Sequence, residues 1–150
     1  MKKFSFIAVF VAISVMSFSN NQYNFSLIGS NFWKINTFLC LDEQIEHYTL
    51  ELHIENEATF TSGIFVEFLN DGTFISYNRP KCGTTIFKTI TGTYFIENQI
   101  LTINVDKIVI NKKSIGGDIR TEYVNENYQF EIKQERNKVE LFLINRIIIK

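Results

Sequence analysis

Two cysteines, one proline, two histidines and seven glycines in 150 residues leave several protein classes out at once. Two cysteines build neither a disulfide-dense scaffold nor the paired hooks of a structural zinc site. His47 and His53 lie in an alternating stretch, so on a strand they stand about 20 Å apart, too far to share a metal. Beyond position 19 the only alanine is Ala58, which disfavours long helices. The single proline, Pro80, leaves the runs of Ile, Val, Phe, Tyr and Thr almost unbroken. Lys and Arg number 15 against 16 Asp and Glu, and the mature chain has no basic cluster longer than Lys112-Lys113, so no nucleic-acid partner is expected. A glycine-rich phosphate loop, a nucleophile elbow and a two-histidine zinc motif are all missing. Adjacent Asp42 and Glu43 read as surface acids. No catalytic residue, metal or cofactor is therefore expected, and the chain does not read as an enzyme.

What is present begins with an address. Lys2-Lys3, an apolar run from Phe4 to Met16 and the small-residue site Ser17-Phe18-Ser19 form a signal peptide over residues 1–19. The run falls short of the roughly 20 apolar residues of a membrane span, so no transmembrane segment is expected after cleavage. The nearest cysteine is Cys40, too distant for a lipid-modified mature end. Residues 20–150 are then one secreted or periplasmic domain. Loss of Lys2 and Lys3 moves the formal charge from −1 to −3.

The mature chain reads as strands. After a short helical turn at Phe25-Ser26-Leu27-Ile28-Gly29, a first strand is expected over Asn31 to Leu39. Glu46 to Glu55 alternates cleanly, with Tyr48, Leu50, Leu52 and Ile54 on the buried side. Ile64 to Leu69 and Thr73 to Tyr77 flank Asn70-Asp71-Gly72 as a hairpin. A two-residue closure pairs Asn70 with Thr73, Phe68 with Ile75 and Val66 with Tyr77, which puts Phe65, Leu69 and Phe74 outside as an apolar patch for a terminal segment or a protein partner. Thr84 to Ile96 is a strand with a bulge or bend at Gly92. Glu97-Asn98-Gln99-Ile100 closes a second hairpin, with Ile96 facing Leu101 and Tyr94 facing Ile103. The next strand runs to Ile110 with a break at Asp106, and Asn111 to Asn125 reads as a loop. Glu126 to Lys133 carries Tyr128, Phe130 and Ile132 inward; Lys138 to Asn145 carries Val139, Leu141 and Leu143, with Phe142 and Ile144 outward.

Eight short, sequentially linked strands with one apolar face each predict an all-β, eight-stranded antiparallel up-and-down β-barrel, since closure removes exposed edges. The signal peptide, Leu27-Ile28-Gly29 before Trp33-Lys34-Ile35, Cys40, Phe68 to Phe74 around Asp71-Gly72, Cys82, Gly92-Thr93-Tyr94 and Leu101-Thr102-Ile103 together resemble the secreted lipocalin-like domains of bacteria. Cys82 and Gly92-Thr93-Tyr94 are also similar to META-type envelope domains. The lipocalin-like resemblance implies a barrel that binds a small molecule.

The expected inward set is apolar and aromatic, so the expected ligand is small and hydrophobic or amphipathic. Its candidate contacts are Trp33, Tyr48, Tyr77, Tyr94 and Tyr128, with Lys88 as the one inward charge. The same crowding admits a second reading, a filled barrel that acts through its outer surface on another envelope protein. Export predicts a disulfide between Cys40 and Cys82.

Overall fold

A computed structural model describes residues 32–54, 61–81, 86–112, 117–135 and 137–148. It is all-β, and its eight strands close into the expected antiparallel up-and-down barrel, consistent with a lipocalin-like fold. They are β1 (Phe32–Ile35), β2 (His47–His53), β3 (Gly63–Phe68), β4 (Thr73–Arg79), β5 (Ile86–Glu97), β6 (Ile100–Lys112), β7 (Ile119–Glu135) and β8 (Lys138–Ile148). From β3 to β8 each strand pairs with the next. The β1–β2 hairpin then completes the ring with β1 beside β3 and β2 beside β8. The predicted signal peptide and the turn at Phe25 to Gly29 lie outside the described residues, among which no helix is long and apolar enough to cross a membrane.

The second hairpin has the expected register, Ile96 facing Leu101 and Tyr94 facing Ile103. Asn98 and Gln99 both take positive φ, 50° and 64°, as a two-residue turn matched to strand twist demands. The first hairpin differs by one residue. Its loop has three residues, Asn70, Asp71 and Gly72, and Leu69 accepts and donates across it: Leu69 N donates to Thr73 O at 2.8 Å, and Gly72 N donates to Leu69 O at 3.1 Å. Gly72 takes the left-handed conformation (φ 81°), while Asp71 Oδ1 accepts from the Thr73 amide at 3.0 Å and from its hydroxyl at 2.6 Å. Phe68 therefore faces Phe74, and Phe65 faces Tyr77. The extra loop residue reverses the faces of β4, because side chains alternate with a period of two. Phe74 and Ser76 go inside; Ile75 and Tyr77 go outside.

Three other expectations shift for related reasons. The first strand ends at Ile35, after which the chain bends and carries Leu39 and Cys40 into the core as part of a turn. Much of the predicted 111–125 loop is strand, since β6 continues to Lys112 and β7 starts at Ile119. Ile54 lies beyond the end of β2 and is 75% exposed instead of inward. The break at Asp106 is present as a register shift between Val105 and Lys107, opposite the one at Thr91/Gly92. It moves the inward parity of β6 from Leu101, Ile103 and Val105 to Ile108 and Ile110.

The core fills the barrel. Leu39, Leu50, Val66, Ile90, Leu101, Ile103, Phe130 and Leu141 are all at 0% exposure. Wall residues of a hollow calyx would keep surface for a guest; these have none. Aromatic rings span the middle: Phe130 meets Tyr48 edge-on at 5.7 Å and stacks with Tyr128 at 6.2 Å, and Phe68 meets Tyr94 at 5.0 Å. The expected outer apolar patch is dispersed. Phe65 is outside yet fully buried, beneath the Arg79 guanidinium at 5.1 Å and beside His53 at 5.4 Å. Phe142 stacks on His47 at 4.5 Å with Lys133 Nζ 4.5 Å above it. Ile144 remains 55% exposed.

Candidate functional site

Tight hairpins 69–73 and 97–100 and the β7–β8 turn close one end of the barrel; the opposite end, the mouth, is where β5 to β8 overrun the shorter strands. There the β1–β2 connection folds inward as a plug. Leu39 and Cys40 belong to the core, with Phe38, Leu41 and Ile45 packed against it. Cys40 takes a positive φ of 59°, a left-handed turn that a non-glycine residue adopts only when its surroundings hold it. They do: the Cys40 amide donates to Tyr48 Oη at 3.1 Å, and Tyr128 Oη donates to Cys40 O at 3.3 Å. Burial pushes both phenols well above the ordinary tyrosine value. They stay neutral, so each hydroxyl keeps its proton and can donate as well as accept.

Arg146 fastens the plug from the other side. Its Nη2 contacts Glu43 Oε1 of the plug at 2.9 Å and Glu126 Oε2 of β7 at 2.9 Å. The guanidinium lies 5.4 Å from the Tyr128 ring centroid, and Tyr128 Oη is also bonded to Glu126 Oε2. The Arg146 hydrogen bond holds the Glu43 carboxyl below the usual glutamate range, so Glu43 is ionised when it pairs. Arg146 Nε is buried without a hydrogen-bond partner among the described residues. Arg146 faces inward because β8 carries a register shift: Phe130 pairs with Leu143 but Gln129 pairs with Asn145, leaving Ile144 over. Sequence reading missed Arg146, Glu126 and Glu43 as a group. An Asn145-Arg146 pair interrupting the otherwise apolar stretch Leu143 to Ile149 was the one available signal.

The six candidate ligand contacts do not converge on one cavity. Trp33, Tyr48, Tyr94 and Tyr128 are buried core residues, and the Trp33 Nε1 donor has no partner among the described residues. The Tyr94 hydroxyl donates to Leu69 O at 2.8 Å, at the hairpin end. Tyr77 is a correction: it points outward, its hydroxyl donates to Glu67 Oε1 at 2.7 Å, and burial together with that carboxylate pushes its pKa up to about 12. The one-residue register change put it there. Lys88 shares the inward parity of Ile90, and its Nζ lies 5.7 Å from the ring centroid of Phe38 in the plug. Asn78 fixes the β5 backbone at this point, accepting from Lys88 N at 2.6 Å and donating to Ile86 O at 3.0 Å. Two outer clefts lie elsewhere, one of about 740 Å³ beside Glu51, Leu52, Glu135, Asn137 and Lys138, the other of about 120 Å³ beside Lys34, Ile35, Asn36, Thr49 and Glu51. Neither is lined by any of the six.

Cys40 is a free, buried thiol, and Cys82, its expected disulfide partner, lies outside the described residues. Folding of the plug turn takes Cys40 into the core. Desolvation, then the nearby Glu126 charge, raises its pKa well above the ordinary thiol value. Such a thiol is a poor nucleophile. Thiol titration of the native protein in a Cys82→Ser background is expected to find no fast-reacting group, and one equivalent after unfolding in denaturant. Absence of any thiol from unfolded wild-type protein before reduction would instead establish the disulfide.

No known protein-family model, no curated protein and no solved structure matches this chain significantly.

Proposed function

We propose that this barrel is a non-catalytic binding protein that takes a small amphipathic molecule at its mouth. One observation carries the reading: the mouth joins an apolar wall to inward cations. Beyond the packed middle, the inward faces of β5 to β7 present Ile86, Ile110 and Val124, with the ion-paired Arg120 and Glu122 on the same face of β7. Ile86 is 42% exposed, and Ile110 and Val124 pack only partly against the core. Lys88 stands on that wall and Arg146 beside it, and among the described residues Lys88 has no carboxylate within ion-pair distance. Apolar lining with a few placed polar groups is the usual make-up of a small-molecule site. The filled core supports the second reading, a barrel acting through its outer surface, and directs the first toward the mouth rather than the centre.

Titration with cis-parinaric acid, whose fluorescence rises in an apolar site, separates the two. Saturable enhancement at one probe per chain is expected, weakened severalfold in Lys88→Ala if the lysine meets the head group. No enhancement, together with no small molecule retained in native mass spectrometry, would leave the outer-surface reading.

A further inference from the structure

We infer that the plug is a built-in mimic of the ligand: Glu43 occupies the seat of a ligand carboxylate on Arg146, Leu39 occupies the place of its apolar tail, and binding displaces both. This rests on the amphiphile-binding reading above and adds to it the head-group chemistry, the residue that receives it and the segment that must move.

The geometry at Arg146 supports replacement. Its guanidinium already serves Glu126, whose side chain is 19% exposed, and Glu43, which is 70% exposed. Both contacts fall on Nη2, while the buried Nε donor is unused. Arginine recognises a carboxylate best side-on, through two parallel N–H groups. Glu43, tethered to the plug, engages only one of them. A free carboxylate is under no such restraint and can take Nη2 and Nε together. It cannot simply be added, because a third carboxylate around one guanidinium would leave two negative charges uncompensated. Glu43 is the one that can leave, since its exposed side chain loses little on returning to water, whereas Glu126 is held by Tyr128 as well.

The apolar half follows from the same loop. Leu39 is fully buried against the core within the 36–46 connection, whose backbone bonds to the neighbouring strands lie near its two ends, Asn36 N donating to Thr49 O at 3.4 Å and Glu46 O accepting from Leu143 N at 2.8 Å. Between those ends its fixings include the two tyrosine bonds to Cys40, the Phe38 ring under Lys88 and the Glu43 pair. A chain of methylenes entering beside Tyr48 and Tyr128 would restore the apolar contact that Leu39 gives up.

The test compares cis-parinaric acid with its methyl ester on wild-type protein, Glu43→Gln and Arg146→Lys, all carrying Cys82→Ser, with maleimide labelling of Cys40 as a second readout. Glu43→Gln removes an exposed competitor, so the acid is expected to bind about two- to fivefold tighter, the range of an exposed ion pair. The ester should gain less. Arg146→Lys keeps the charge beside Glu126 but loses the fork, and should erase the preference for acid over ester. Saturating acid should accelerate Cys40 labelling. If neither probe binds any variant, the binding reading itself fails. If both bind, with equal affinity for acid and ester and with Cys40 still protected, the ligand lies elsewhere in the mouth and the mimicry is wrong.

Discussion

Gly92→Ala is expected to cost about 3 kcal/mol or more and leave little folded protein at 37 °C, because the new methyl group has nowhere to go. A Cβ at this position would stand 1.9 Å from the carbonyl oxygen of Asn104 and 2.9 Å from the Phe74 ring. The first neighbour is backbone in the β5–β6 ladder, so relief requires parting two strands at the register shift that bends them. A flexible side chain would yield; a ladder does not. Small barrels have total stabilities of about 5–15 kcal/mol, so a loss of this size is a large share of the whole. Thr93→Ala, one position along on the exposed face, is the control and should change stability by about 1 kcal/mol at most, the worth of its hydroxyl contact with Asn104. Urea unfolding monitored by Trp33 fluorescence gives both values. A Gly92→Ala midpoint equal to that of wild type would show that β5 and β6 do not approach as closely as described.

The second large effect concerns the face of β4. Phe74→Ala should cost about 3–5 kcal/mol, the usual range for deleting a buried aromatic side chain. Phe74 is 1% exposed, lies across from Gly92, and packs against Phe68 at 6.4 Å. Its ring covers the glycine on the neighbouring strand, so both residues are required at one spot: without the glycine the ring is excluded, and without the ring the glycine leaves a gap. Ile75→Ala, on the outer face and half-buried, should cost about 1 kcal/mol. The two-residue hairpin closure predicts the reverse order, with Ile75 inside and Phe74 outside. Denaturant midpoints for the two variants therefore read the hairpin register directly, and a larger loss at Ile75 would restore the shorter turn.

The hairpins show what local sequence can and cannot carry. Asn98-Gln99 closes with two residues and its register is countable outward from the turn. Asn70-Asp71-Gly72 carries the stronger two-residue turn signal in its last two residues, yet Gly72 serves as the left-handed third residue of a longer loop. Both loops are compatible with the local sequence. The choice falls to burial, which favours Phe74 and Ser76 over Ile75 and Tyr77 on the inner face because Gly92 opens space for a large ring there. Parity counted from a two-residue turn places Tyr77 in the interior, and the candidate ligand set carries that error.

Arg146 was hidden for a related reason. Alternation along β8 from Val139, Leu141 and Leu143 would place Asn145 inside and Arg146 outside, until the extra residue at Ile144 resets it. Bulges of this kind are visible only in the pairing with a neighbour strand. The break at Asp106 was legible because apolar residues stand on both sides of it, switching from odd to even positions. At Ile144 a run of isoleucines hides the switch.

By itself the sequence determined the class of structure: scarce alanine and proline with abundant β-branched and aromatic residues make strands, their alternation marks the inner faces of β2, β7 and β8, and the need to remove edges closes them. Only the tertiary structure decided that β1 would lie between β2 and β3, that Leu39 and Cys40 would fill the mouth, and that Glu43, Glu126 and Arg146 would meet there. Alternation is a rule about neighbours in the chain, and these three outcomes depend on which strands become neighbours in space.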